Sequence, residues 1–139
     1  MTAKVRYIPE GFHTATPFLA LADGARAVEF YKKAFEAVEL SLHQDANGRV
    51  RHAELKIGDS PIMLGEHREV DARDSALLPR VSVYLYVEDA DAVARQAIAA
   101  GGKEIYAVRE QSYGNREGGV EDPFGIVWWI GTRVKEVAH

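Results

Sequence analysis

The order of short apolar runs along this chain occurs twice, and that repeat limits the possible folds more than any single motif does. Residues 14–21 (TATPFLAL) read as a strand, with Pro17 marking a strand start or an edge. Asp23 then offers a helix N-cap, and Ala27, Phe30, Tyr31, Ala34 and Phe35 recur at spacings of three and four, the stripe of an amphipathic helix. Residues 39–44 and 50–57 flank Asp45-Ala46-Asn47-Gly48, where Asn-Gly supplies the positive φ angles of a tight turn, so a hairpin is expected. Gly58-Asp59-Ser60 is a second turn before the apolar run 61–65. The second half follows the same order. Residues 81–87 (VSVYLYV) form a strongly β-prone run, and Ala90, Val93, Ala94, Ala97 and Ile98 form a helical stripe that Gly101-Gly102 ends. A strand over 104–108, a turn-rich stretch over 114–119 and the run 126–132 behind Asp122-Pro123-Phe124-Gly125 complete it. An offset of about 66 residues sets Leu19 on Leu85, Leu21 on Val87 and Asp23 on Asp89. The expected fold is one α+β domain over 1–139, built from two βαβββ modules (about 12–66 and 80–133) that form a cupped, eight-stranded mixed sheet with helices on its outer face.

Composition removes several function classes. Hydrophobic residues at 47% and charged residues at 27% are ordinary for a globular chain, and 139 residues suffice for a sizeable core. A net charge of −4 with no basic stripe argues against nucleic acid as a partner. Zero cysteines exclude a disulfide framework, a thiol nucleophile and thiolate metal sites. No secretory apolar stretch opens the chain and no run approaches a membrane span, so a cytoplasmic protein without a membrane partner is expected. Phosphate-binding glycine loops, dinucleotide fingerprints, HExxH and nucleophile elbows are absent.

The words HTATPFLAL, AVEFYKKAF, HAELKIGDSPIMLGE, VYLYVEDADAV, YGNREGG and EDPFGIVWWIGT, in that order over about residues 12–133, resemble the vicinal oxygen chelate superfamily, and more narrowly its PhnB-like branch. That superfamily includes glyoxalase I, bleomycin and fosfomycin resistance proteins and extradiol dioxygenases. The resemblance implies a homodimer with a small-molecule site inside the cup. It also implies a divalent metal held by His and Glu, but the matching positions here are Thr16, Ser82 and Trp129, none a usual ligand. Ile126 stands where many PhnB-like chains have His. No cofactor is therefore expected, with a divalent metal the one left open.

Alternation along a strand separates its two faces. Pro17, Leu19 and Leu21 share one face with Val83, Leu85 and Val87 in the matching strand, aliphatics suited to a helix. The other face carries Thr16, Phe18 and Ala20, then Ser82, Tyr84 and Tyr86, with Val127 and Trp129 on the closing strand. Phe18, Tyr84, Tyr86 and Trp129 are thus expected to line the cup and stack on a planar ligand. The competing reading makes them core or dimer interface. Tyr113 and Arg116 fall in the YG-x-R word, a rim loop where Arg116 would pair with a ligand anion or with a surface acid. His52 and Glu54, at i and i+2, share a strand face. His52 is the best general base and Glu54 its orienting partner, and with Glu66 or His67 from the next strand they could share a metal. Three functions stay open: a protein binding a planar or aromatic molecule without the usual metal ligands; a metal-dependent lyase, isomerase or dioxygenase using His52, Glu54 and Glu66; and a dimeric interaction module with a filled cup.

Overall fold

A computed structural model describes residues 7–66 and 82–135. The first module runs β1 (Phe18–Leu21), α1 (Gly24–Phe35), β2 (Val38–Gln44), β3 (Val50–Ile57) and β4 (Ser60–Glu66). The second runs β5 (Ser82–Tyr86), α2 (Ala90–Ala99), β6 (Lys103–Glu110), β7 (Asn115–Glu121) and β8 (Val127–Arg133). Each helix starts on an aspartate at the repeat offset. Asp23 accepts from the Arg26 N–H and Asp89 from the Ala92 N–H, both at 3.1 Å, satisfying donors that the first turn leaves without helical partners.

The eight strands form two four-stranded mixed sheets, ordered β1-β4-β3-β2 and β5-β8-β7-β6. In each, the first strand of the module pairs parallel with the last, and the remaining pairs are antiparallel. This is the two-module α+β fold that the repeat requires. Among the described residues, one edge of β1 and one edge of β5 carry no strand partner.

The helices cover the face of each sheet opposite its open, cup-side face, and so lie between the two sheets. On α1, Ala27, Phe30, Tyr31, Ala34 and Phe35 are all buried, and on α2 the buried positions are Ala90, Ala94 and Ala97. Those alanines let α2 approach α1 closely, and the Gln96 amide donates across the gap to the Lys33 carbonyl at 2.9 Å. The Trp128 ring lies 5.1 Å from Tyr31 and 4.8 Å from Phe35, so α1 packs on the second sheet as well as its own. Asp122, 4% exposed, ties this aromatic core together. Its carboxylate accepts from the Tyr31 hydroxyl (2.6 Å), the Trp128 indole (2.9 Å) and the backbone N–H groups of Phe124 (2.9 Å) and Ile126 (3.0 Å). Burial, then the neighbouring Asp122 carboxylate, push the Tyr31 hydroxyl far above the ordinary tyrosine range.

Three local expectations change. The first strand is four residues, not eight, and begins after Pro17. In the β2–β3 hairpin only Gly48 takes a positive φ (81°), so the connection is not a two-residue Asn-Gly turn. Asp45 holds a longer loop by accepting from the N–H groups of Asn47 (2.9 Å) and Arg49 (3.0 Å). Residues 115–119, expected as turn, are strand. Gly118 and Gly119 are there for space: a Cβ at Gly118 would meet the Tyr106 carbonyl at 2.8 Å, and one at Gly119 the Trp129 ring at 3.0 Å.

Candidate functional site

Register fixes which side chains share the sheet faces turned away from the helices. On the first sheet, Phe18, Met63, Glu54 and Ser41 stand in one row, with the His52–His43 pair beside them. On the second, Tyr84, Trp129 and Gly119 form one row and Tyr86, Gly131 and Glu117 the next. Leu19, Leu21, Trp128 and Ile130 fill the opposite, helix-covered faces. Phe18 is 51% exposed, Tyr84 38% and Tyr86 67%, so within one chain these aromatics do not fill a core.

On both sheets a ring lies down over a glycine. A Cβ at Gly65 would meet Phe18 Cζ at 3.0 Å, and one at Gly131 would meet Tyr84 Cζ at 2.8 Å. Both pairs recur at the repeat offset of about 66 residues. Trp129 likewise lies over Gly119 and stacks on Tyr106 (5.3 Å, 25°), while Tyr84 and Tyr86 are 4.8 Å apart. Missing side chains under flattened rings make the second sheet a broad aromatic platform.

A polar cluster ends this platform. Tyr84 donates to one oxygen of Glu117 at 2.6 Å and Tyr113 donates to the other. The Asn115 amide donates to the hydroxyls of Tyr84 (2.9 Å) and Tyr86 (3.4 Å). Burial and the bond to Glu117 raise Tyr84 above the usual tyrosine range, and the bond to Glu117 pushes Tyr113 up to about 12. Glu117 and Asn115 escaped sequence reasoning because they sat in a stretch taken for a turn. Alternation over 115–121 would have placed both beside the tyrosines.

The structure separates the other candidates. Arg116 points to the helix face, opposite Tyr84 and Tyr86, where its fork clasps Asp91 of α2 at 2.7 and 3.0 Å. That bond holds the Asp91 carboxyl below its ordinary range. His52 Nε2 lies 3.8 Å from Glu54, whose carboxylate accepts from the Ser41 hydroxyl at 2.8 Å, and Phe18 lies 5.9 Å from the His52 ring. Glu66 is not with them. It follows Leu64 on the helix-covered face, accepts from the Val50 N–H at 2.6 Å and pairs with Arg49 at 3.3 Å. His67 lies outside the described residues. The His52, Glu54 and Glu66 metal set is therefore not assembled, and no group of three or more His, Asp or Glu among the described residues could hold a metal ion. Thr16, Ser82 and Trp129, the positions that the resemblance matches to the superfamily's metal ligands, carry no imidazole or carboxylate.

A cavity of about 710 Å³ lies beside the unpaired edge of β5, between Phe35, Val38 and Lys56 on one side and Tyr86, Val87 and Val93 on the other. No helix among the described residues is long and apolar enough to cross a membrane.

Comparison with known proteins places this geometry. The uncharacterized protein Mb0911c of Mycobacterium bovis is 36% identical over 128 residues, spanning 88% of this chain and 84% of its own. The crystal structure of TioX from Micromonospora sp. ML1 superposes with a TM-score of 0.69 at 26% identity, covering 91% of this chain and 99% of that one. A PhnB protein from Bacillus cereus shares the fold (TM-score 0.65, 18% identity, 86% and 99% covered). Residues 12–130 match the sequence model of one family, and the chain belongs to it: the Glyoxalase/Bleomycin resistance protein/Dioxygenase superfamily.

Proposed function

We propose that two copies of this chain pair to form cups that bind a planar or aromatic small molecule, without the superfamily's usual metal ligands. The observation that carries this reading is the placement of two unlike open faces on opposite sides of one helical layer. The aromatic platform of Tyr84, Tyr86 and Trp129 and the face of Phe18, His52 and Glu54 look away from each other, so one chain cannot close them over a common ligand. A second copy can, by setting its first sheet against the platform of the other.

The strand edges support this. β1 (FLAL) and β5 (SVYLY) have no charge and no proline, unlike β2 and β6, whose edges carry glutamate, lysine or arginine. An uncharged open edge is a template for another strand, and joining these edges across a two-fold axis would protect them. The word order of the PhnB-like branch and the fold shared with the Bacillus cereus protein support placing the chain there.

The test is light scattering on the full chain, followed by titration with acridone, a neutral planar tricycle. A dimer that binds acridone, with Tyr84→Ala abolishing binding but not dimerisation, is expected. A monomer that binds equally well would sink the two-chain cup. If Tyr84→Ala instead unfolds the protein, the tyrosine was core and the site assignment fails.

A further inference from the structure

We propose that Glu117, Asn115 and the hydroxyls of Tyr84 and Tyr113 form the polar end of the aromatic platform and recognise a protonated nitrogen carried by the planar ligand. This rests on the planar-ligand reading and adds the charge of what is bound.

The argument begins with a count of donors and acceptors. Both oxygens of Glu117 are held by neutral phenols, Tyr84 and Tyr113, so those contacts fix the carboxylate in place without cancelling its charge. Among the described residues no basic side chain forms an ion pair with it. Arg109, its neighbour in register on β6, is not so engaged. Asn115 spends its amide protons on Tyr84 and Tyr86 and keeps its carbonyl oxygen without a partner, although the residue is only 4% exposed. The cluster thus has a fixed negative charge, positioned by Tyr84, Tyr113 and, through Tyr84, by Asn115.

The surroundings favour the same ligand. Tyr84, Tyr86 and Trp129 present ring faces beside the carboxylate, and ring faces attract cations. An anionic ligand would meet the Glu117 charge. Arg116, the cation nearest in sequence, is turned to the other face and held by Asp91. A planar molecule bearing an ammonium, amidinium or ring N–H⁺ satisfies the carboxylate and the rings together.

Three tricyclic probes test this with the full chain: proflavine (cationic), acridone (neutral) and fluorescein (anionic), titrated by isothermal calorimetry at fixed ionic strength. Proflavine should bind at least roughly tenfold tighter than acridone, because a hydrogen bond to a charged group contributes about that ratio or more. Glu117→Gln should bring proflavine to the acridone level, so the ratio between the two affinities collapses. Tyr113→Phe, which frees one carboxylate oxygen without removing charge, should keep most of the preference. Fluorescein or acridone binding as tightly as proflavine, or a preference that survives Glu117→Gln, would overturn the charge assignment while leaving the planar site standing. If none of the three binds, the planar-ligand reading fails and the charge assignment fails with it.

Discussion

Replacing Asp122 by alanine should destabilise the fold more than any other single polar substitution among the described residues. The side chain is 4% exposed and accepts four hydrogen bonds, from Tyr31, Trp128 and two backbone N–H groups. Alanine leaves all four donors without their acceptor in a space lined by aromatic rings. Each buried orphan costs about 1–3 kcal/mol, and water entering the vacated space would satisfy some of them, so a loss of about 3–5 kcal/mol is expected. For a chain of this size that corresponds to a fall in Tm of roughly 10–20 °C, or a urea midpoint lowered by about 2 M at unchanged slope. The assay is urea denaturation followed by tryptophan fluorescence, at one protein concentration, since self-association would couple stability to concentration. Tyr31→Phe removes a single donor and should cost about 1–2 kcal/mol. Because both substitutions act on one bond, the double variant should lose less than the two losses added together. A loss below about 1 kcal/mol for Asp122→Ala, or full additivity with Tyr31→Phe, would show that this carboxylate does not fasten α1 to the second sheet.

Gly131→Ala should weaken acridone binding about as much as Tyr84→Ala does, although no aromatic group is removed. The new Cβ occupies the space of the Tyr84 ring and lifts it from β8; titration checks this, and wild-type affinity would show that the ring's flat posture is irrelevant. Stability should fall steeply above pH about 10. Tyr31, Tyr84 and Tyr113 are all raised in the folded state, so their contribution is complete below the unfolded tyrosine value and is lost as pH climbs through the folded values. Thermal melts from pH 8 to 12 should show this slope, and the Tyr84→Phe, Tyr113→Phe double variant should make it shallower while the Tyr31 contribution remains; a flat wild-type profile would contradict the tyrosine network.

Local signals in the sequence were enough for most elements. Asp23 and Asp89 mark the helix starts, and the stripes through Phe30, Tyr31 and Ala94 mark the buried faces, because capping and amphipathicity act within a few residues. The aliphatic and aromatic faces of β1 and β5 were legible for the same reason. β7 was not. Gly118 and Gly119 look like turn residues, and only the long-range approach of Tyr106 and Trp129 explains why glycine serves there in a strand. With β7 hidden, the pairing of Arg116 with Asp91 and the gathering of Asn115 and Glu117 around the tyrosines were hidden too. Glu66 shows the opposite case: its alternation with Leu64 already places it on the covered side, away from His52. Which side of each helix the other module occupies is not encoded in any local period, so the sandwiching of helices between sheets emerges only in three dimensions.

That sandwich has a consequence for how the chain can change over time. Since each cup would draw one wall from either copy, a substitution on the Phe18 face and one on the Tyr84 face never damage the same half of a site. Two differently impaired chains mixed in one cell would regenerate one intact cup per mixed pair while concentrating both defects in the other.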